Sequence, residues 1–436
     1  MERKIIFNHT KENIKMKKLT TIMIAIIIMI MITALPFNKA NAETDPSFKD
    51  IEKHWAKDSI IEAAKKGYVA GYPGGTFRPD NRVNVDEFIT MMIRSLTAKQ
   101  PNGKVTWSFE YFDKLSYPMQ SSLVETTPYF DPNNVKSSTN YWADPYLDQA
   151  QRMSFFKRVD SAWGGKYNVP LTREKAAYLV MGLLAWSEHH ENEMLADLAW
   201  NDIKDKADVV YTNQVIEAYI KGIVSGYPNK TFRPKGYITR AEAVALIGRI
   251  VDNSKRTPHI PDLTGKNYTS IDMPNGDTKY YVFPNAEFNK LFDALDKVNG
   301  TAPASSYVED ARVMKTYYNS KEDYDKMTYE NYRGIYDFQP VVMNVGLGTS
   351  DIDFGISIDT KYSLAGYEKI YDTFVNMMFE SKADQFNKIF MQKLKDRKNG
   401  TFKRVQLVIN NRDVDITTVG YNGIAAYIST KLLKTK

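Results

Sequence analysis

The sequence predicts a mainly helical repeat region followed by a separate α+β domain. Three observations carry that expectation. A fourteen-residue pattern recurs at a fixed offset. Amphipathic helical spacing flanks each occurrence. Strict apolar–polar alternation begins only after residue 350. A chain of 436 residues has room for two to four such units. Its 43% hydrophobic and 13% aromatic content suits packed cores, and excludes a largely disordered or collagen-like chain.

The first element is an export signal over residues 1–42. Lys15, Lys17 and Lys18 precede an apolar run from Leu19 to Leu35, and Ala40-Asn41-Ala42 follows Pro36. A basic stretch, an apolar core and a small-x-small site is the order of a secretory signal cleaved after Ala42. Met16 is an alternative start, because Met16-Lys17-Lys18 already supplies the basic stretch. The competing reading is an uncleaved membrane helix, for which this run is at the short limit of a ~30 Å hydrocarbon span. The mature chain is expected to have no membrane segment. Residues 1–42 also hold seven basic and two acidic side chains, so the remaining chain carries a net charge of only +1. Nucleic acid therefore loses its main electrostatic argument as a partner.

The second element is the repeat. Lys66-Gly67-Tyr68-Val69-Ala70-Gly71-Tyr72-Pro73-Gly74-Gly75-Thr76-Phe77-Arg78-Pro79 matches the stretch from Lys221 to Pro234 at most positions, with an offset of 155. Upstream, Phe48-Lys49-Asp50-Ile51 aligns with Trp200-Asn201-Asp202-Ile203 at an offset of 152, which implies a three-residue insertion in the later copy. A weaker middle copy runs from Phe130-Asp131 through Tyr141-Trp142-Ala143-Asp144 to Leu171-Thr172-Arg173-Glu174-Lys175-Ala176, and keeps only Gly164-Gly165 of the glycine loop. Each copy reads as helix, glycine turn, helix. Gly67 suits a helix C-cap. Thr239 with Glu242, and Asn84 with Glu87, are capping boxes, while Thr172 keeps the cap beside Lys175. Copy one spans 45–100, an inserted linker 101–128, copy two 129–190 and copy three 196–253.

This pattern, Phe-x-Asp-Ile, His-Trp-Ala, Gly-Tyr-Pro-x-x-Thr-Phe-Arg-Pro and Ile-Thr-Arg-Ala-Glu, resembles the surface-layer homology (SLH) repeat of Gram-positive bacteria. The resemblance covers about half the mature chain, with copies one and three strong and copy two degenerate. It implies a pseudo-threefold helical prism. It also implies secretion to the cell wall or surface layer, and a partner in the secondary cell-wall polymer attached to peptidoglycan, typically through a pyruvylated sugar.

Polymer-binding candidates follow from the chemistry of such an anion. A pyruvyl ketal carries a carboxylate, which a guanidinium holds with two parallel hydrogen bonds. Arg240, next to Thr239, and Arg173 open the second helices of copies three and two. A helix N-terminus adds unpaired N–H groups. Gly71 and Gly226 allow close backbone approach, and Trp55, Trp142, Tyr72 and Tyr227 offer faces for sugar rings. Thr239 also has a purely capping role open to it, the two tryptophans a core role, and Arg78 and Arg233 a role in structural bonding. Copy one has Val85 where the family arginine belongs. The expectation is therefore one good site near Arg240, with a second at Arg173.

Residues 262–436 form the last element, an α+β domain with no recognised family or partner. Phe288, Leu291, Phe292 and Leu295 are spaced helically, and a long helix is expected from about Ser363 to Arg397. Ile352, Phe354, Ile356 and Ile358 alternate with polar residues, and strands at Arg404–Ile409 and Val414–Val419 flank a turn. Tyr307, Tyr317, Tyr318, Tyr324, Tyr329, Tyr332 and Tyr336 make a tyrosine-rich stretch, expected chiefly in core and loop packing. No catalytic motif, metal site or cofactor site emerges. Cysteine is absent, no histidine follows His259, and Asp351, Asp353 and Asp359 lack the spacing of a calcium loop. The sequence thus reads as a non-enzymatic wall anchor displaying a domain. The alternatives are a wall-associated glycan hydrolase, whose carboxylate pair would leave no fixed spacing, and a surface-array subunit.

Overall fold

The computed structural model describes residues 46–99, 105–107, 141–160, 162–184, 192–272, 278–300, 302–309, 312–325, 341–347 and 354–429. The export signal, its cleavage site, Phe130-Asp131, Asp351, Asp353 and Tyr329, Tyr332 and Tyr336 lie outside them. No helix among the described residues is long and apolar enough to cross a membrane.

Copy one contributes α1 (Lys57–Lys65) and α2 (Val85–Ser95), followed by the short antiparallel pair β1 (Thr97–Lys99) and β2 (Val105–Trp107). Trp107 of β2 is buried in the repeat core, so the stretch expected as a linker returns to the fold at that point. Copy two supplies α3 (Asp144–Arg152) and α4 (Arg173–Leu184). An additional helix, α5 (Glu193–Asn201), precedes copy three, which supplies α6 (Thr212–Ile220) and α7 (Arg240–Val251). The first helix of copy one ends in a Schellman motif. Gly67 has φ 79°, its N–H bonds Ala64 O, and Tyr68 N–H bonds Ala63 O. Gly222, Tyr219, Ile223 and Ala218 repeat the arrangement in copy three.

The copies are joined cyclically. The second helix of each packs on the first helix of the next: α2 on α3, α4 on α6 and α7 on α1. A closed ring of backbone hydrogen bonds sits where these helices begin. Val83 N–H donates to Ile238 O at 3.1 Å, Ile238 N–H to Leu171 O at 3.0 Å, and Leu171 N–H to Val83 O at 2.9 Å. All three side chains are buried in one continuous core.

Copies one and three align without an insertion. Lys49 N–H bonds Gly75 O and Lys204 N–H bonds Lys230 O, so Lys204-Asp205 corresponds to Lys49-Asp50 at the same offset of 155 as the glycine loops. The expected offset of 152 followed the apolar–Asp–Ile resemblance. Asp202 instead meets the ring of His259 at 2.9 Å.

The C-terminal domain opens with an antiparallel hairpin, β3 (Tyr268–Asp272) and β4 (Thr278–Val282). Alternation along β4 sends Val282 into the repeat core and its neighbours Tyr281 and Phe283 into the C-terminal core. Next come α8 (Ala286–Asn299), β5 (Ala304–Glu309), β6 (Arg312–Tyr318), β7 (Val341–Leu347) and β8 (Phe354–Asp359). The domain ends with α9 (Glu368–Phe379), α10 (Ala383–Lys398), β9 (Val405–Ile409), β10 (Arg412–Val419) and β11 (Gly423–Ser429). Seven strands form one sheet in the order β5-β6-β7-β8-β11-β10-β9, with every neighbouring pair antiparallel. Leu347, Phe354, Ile428, Val414 and Leu407 make one apolar row across it, and Phe288 of α8 stacks on Phe354 at 4.4 Å.

The strand expected near residue 354 and the two near 409 are present. The long helix expected from 363 to 397 is broken. Glu380 takes φ 49°, a 3-10 turn spans Glu380–Lys382, and α10 folds back so that Phe379 stacks on Phe386 at 4.3 Å. A continuous helix of that length would run roughly 50 Å and leave one flank without a partner. The strand turn is tighter than expected: only Asn410 and Asn411 turn, with φ 52° and 58°, while Arg412 and Asp413 belong to β10. Tyr317 and Tyr318 are buried, as packing residues should be.

Asn192 ties the hairpin to the repeats. Its buried side-chain oxygen accepts from Leu195 N–H at 3.0 Å and from Val282 N–H at 3.1 Å. Asn192→Ala strands both donors, which costs about 1–3 kcal/mol each when buried. The thermal midpoint of the purified chain is expected to fall by several degrees; an unchanged midpoint would show that the tie contributes nothing.

Candidate functional site

Each intact glycine loop is pinned from below by an aspartate. Asp50 accepts from Phe77 N–H at 2.8 Å and Arg78 N–H at 2.7 Å, and Asp205 accepts from Phe232 N–H and Arg233 N–H, both at 2.7 Å. Burial alone would raise the Asp50 carboxyl, but these two amides outweigh it and hold its pKa below the ordinary value. The loop then closes through Tyr72 N–H to Thr76 O in copy one and Tyr227 N–H to Thr231 O in copy three. Gly71 is required internally, since a Cβ there would stand 2.3 Å from the Phe48 ring, whereas at Gly226 it would make an ordinary 3.4 Å contact.

The arginine that faces each loop comes from another copy. Arg240, the first residue of α7 in copy three, reaches copy one. Its Nε donates to Phe77 O and its Nη2 to Ala70 O, both at 3.2 Å, and Nη1 lies 3.7 Å from Glu87. Arg173, the first residue of α4 in copy two, reaches copy three. Nε donates to Phe232 O at 3.0 Å, Nη2 to Ser225 O at 2.8 Å, and Nη1 to Glu242 at 3.3 Å. Two guanidinium groups lie near the Tyr72 ring, Arg78 at 4.2 Å and Arg240 at 4.8 Å from its centroid. Two lie near the Tyr227 ring, Arg233 at 3.7 Å and Arg173 at 5.0 Å. In each groove one arginine is largely enclosed and the other, Arg78 or Arg233, is exposed.

This crossover changes how the grooves are counted. Arg173 belongs with the intact loop of copy three rather than the drifted loop of copy two. The first groove pairs Arg240 with Tyr72, and the second pairs Arg173 with Tyr227. The third combines Val85 with the drifted loop, so both departures fall in one place. There, the Tyr167 hydroxyl donates to Arg158 O at 2.8 Å, a bond within copy two itself. Lys175 stands where Glu87 and Glu242 stand, and its Nζ donates to Ala162 O at 2.6 Å.

The helix N-termini are not open to a ligand as expected. Val85 and Asp86 N–H bond Val169 O and Tyr167 O, Arg173 and Glu174 N–H bond Gly236 O and Pro234 O, and Arg240 and Ala241 N–H bond Asn81 O and Pro79 O. The amides that a free helix would present are spent on holding the copies together. The capping boxes at Asn84/Glu87 and Thr239/Glu242 are present, but Thr172 Oγ1 is buried without a partner. Trp55 and Trp142 are 67% and 53% exposed, which settles them on the surface rather than in the core. Each precedes the first helix of its copy by the same interval, where copy three has Val210. No group of His, Asp or Glu among the described residues is arranged to hold a metal.

Two substitutions probe this arrangement. Arg240→Ala removes three contacts between copies, and a hydrogen bond to a charged group contributes on the order of 1.5–3 kcal/mol; a clear drop in thermal midpoint is expected. Val85→Arg is expected to destabilise by about 3 kcal/mol or more, not to restore a groove. Val85 is 1% exposed, so a guanidinium there would be enclosed in an apolar core. A Val85→Arg chain as stable as wild type would refute that enclosure.

The family model described as the S-layer homology domain matches residues 47–89 and 201–244, the loop-bearing parts of copies one and three. Among curated proteins, an amylopullulanase from Thermoanaerobacterium thermosulfurigenes is 28% identical over 49% of this chain and 10% of its own length. An exoglucanase from Acetivibrio thermocellus is 26% identical over 48% of this chain and 16% of its own. A cellulosome-anchoring protein of the same organism is 23% identical over 49% and 28%. The matched stretches are thus about half of this chain and a minor part of each relative. With its doubled loop, cyclic helix packing and family match, the chain carries S-layer homology domains at residues 47–89 and 201–244, followed by a separate C-terminal region.

Proposed function

We propose that this chain is a secreted, non-covalent anchor of the Gram-positive cell wall. Its repeats, packed as a pseudo-threefold prism of helices, hold an anionic secondary cell-wall polymer attached to peptidoglycan, and the C-terminal domain is displayed outward. The observation that carries this reading is the pair of guanidinium groups gathered at one tyrosine ring, repeated in two grooves. A sugar bearing a pyruvyl carboxylate meets both needs of such a groove: an anion for the exposed guanidinium and a ring face for an aromatic side chain. Arg240 and Arg173 keep their hydrogen bonds to the loops and act as enclosed positive charge beneath the tyrosine. Arg78 and Arg233 supply the accessible donors. Gly71 and Gly226 shape the loops that carry them, Thr239 caps the helix that presents Arg240, and Trp55 and Trp142 extend the surface over which further sugar units lie.

The match to the S-layer homology domain supports a role at the cell surface, and the name of the cellulosome-anchoring relative fits it. The relatives named as enzymes share only about half of this chain. A hydrolase reading would call for paired enclosed carboxylates in the C-terminal domain. Among its described residues the buried polar side chains are Lys315 and Thr316, and no Asp or Glu is buried. The C-terminal domain is proposed as cargo that the repeats display.

Co-sedimentation of residues 43–436 with purified Gram-positive walls tests the proposal, with walls stripped of their polymer as control. Binding is expected to intact walls alone. Titration with released polymer ends is expected to saturate at two per chain, because the third groove has Val85 in place of the helix-opening arginine and no Gly-Tyr-Pro loop. Equal sedimentation with stripped walls would refute polymer anchoring. Saturation at one would refute the equivalence of the two grooves.

A further inference from the structure

Arg78 and Arg233 share an unusual backbone. Both have φ 56°, in the left-handed region that residues with a Cβ avoid and glycine accepts freely. Among the described residues they are the matched non-glycine pair of this kind in the two intact loops. Their counterpart in the third groove, Lys166, is not in that region. A strained conformation persists only where surrounding structure over-determines it, and here it occurs twice, each time under an exposed guanidinium that lies over a groove tyrosine. Glycine at either position would remove the backbone cost and the side chain together. Arginine is retained at both.

The restraint is visible. One carboxylate takes both the amide of the strained arginine and the amide before it: Asp50 for Phe77 and Arg78, Asp205 for Phe232 and Arg233. The carboxylate fixes the peptide plane that precedes the arginine, and a turn bond fixes the plane that follows it, from Asn81 N–H to Arg78 O at 3.2 Å and from Gly236 N–H to Arg233 O at 3.0 Å; held on both sides, the arginine keeps its left-handed φ. A left-handed residue sends its side chain in a direction that neighbouring helical or extended conformations do not. Here that direction carries the guanidinium over Tyr72 or Tyr227, the ring that Arg240 or Arg173 also approaches.

We propose that Asp50 and Asp205 are positioning residues for wall binding: each holds the following loop arginine left-handed, so that its guanidinium is preorganised over the groove tyrosine to meet the polymer's anion. This inference rests on the anchoring function above. Preorganisation matters because an exposed arginine otherwise loses rotamer freedom on binding, which weakens the complex.

The test uses three forms of residues 43–436 beside the parent chain: Asp50→Ala with Asp205→Ala, Arg78→Gly with Arg233→Gly, and all four together. Affinity for purified walls bearing their polymer, thermal midpoint and NMR backbone couplings are measured for each. The glycine pair is expected to keep or raise the thermal midpoint while binding falls roughly tenfold to a hundredfold. The alanine pair is expected to weaken binding about tenfold and to move Arg78 and Arg233 out of the left-handed region. In the glycine background the aspartate changes are expected to lower the midpoint but leave affinity where it was. Equal loss of affinity in both backgrounds would mean that the aspartates act only on stability, and would overturn the proposal. So would couplings that show Arg78 and Arg233 still left-handed without the carboxylates, a readout that needs no ligand. If the parent chain itself fails to bind walls, the anchoring function falls, and the couplings alone then decide the positioning.

Discussion

The repeat region depends on three backbone hydrogen bonds that run from copy to copy and close on themselves, through Val83, Leu171 and Ile238. Each contributes about 1 kcal/mol net, so their importance is not their sum. They set the register in which three second helices begin, and that register places the next two amides of each helix against carbonyls of the neighbouring copy. A ring of this kind closes only if every copy takes part. Copy two has lost most of its glycine loop, yet it keeps a buried aliphatic residue at Leu171 and a helix starting at Arg173. What the ring needs has been retained where the groove has not.

The same register decides the chemistry of the grooves. The residue two after each ring position opens the helix and points into the loop of the adjacent copy. Arg240 and Arg173 thereby serve copies one and three, and Val85 faces copy two. Loss of an arginine in one copy and loss of a loop in another, which look like two separate defects along the chain, are one closed groove in space. Within copy two, Tyr167 spends its hydroxyl on Arg158 O. The site is thus divided between copies, and its charge is held in part by the bonds that hold the module together.

The C-terminal domain meets the repeats through strand alternation. Along β4 successive side chains point in opposite directions, so a single hairpin places Val282 in one core and Tyr281 in the other. Asn192 satisfies a buried amide of that hairpin and caps α5 with the same oxygen. Within the sheet, Lys315 is the charged group that burial penalises most evidently. Burial pulls its pKa down, and Asp296, Ser306 and the face of Phe292 receive its ammonium.

Local chemistry made much of this legible in the sequence. Gly67 and Gly222 end helices because only glycine takes positive φ there without cost, the boxes at Asn84/Glu87 and Thr239/Glu242 satisfy orphan amides within one turn, and alternation around Phe354 and Ile356 marks a strand with one buried face. The candidate arginines, tyrosines and tryptophans were all identifiable by type and spacing. What stayed hidden depends on contacts between residues far apart in the chain. Periodicity does not reveal in which rotational sense three copies close, so it assigned Arg173 to the wrong loop and treated the helix N-termini as open. It read the helix of 363–397 as continuous, because Ile370, Phe374, Met377, Phe386, Ile389 and Leu394 keep helical spacing across the break, where Phe379 stacks on Phe386. Residue type and near-neighbour spacing determine the elements and the chemistry they carry. Which elements face one another is decided by burial and by the pairing of backbone groups across the whole fold, and only the tertiary structure expresses that.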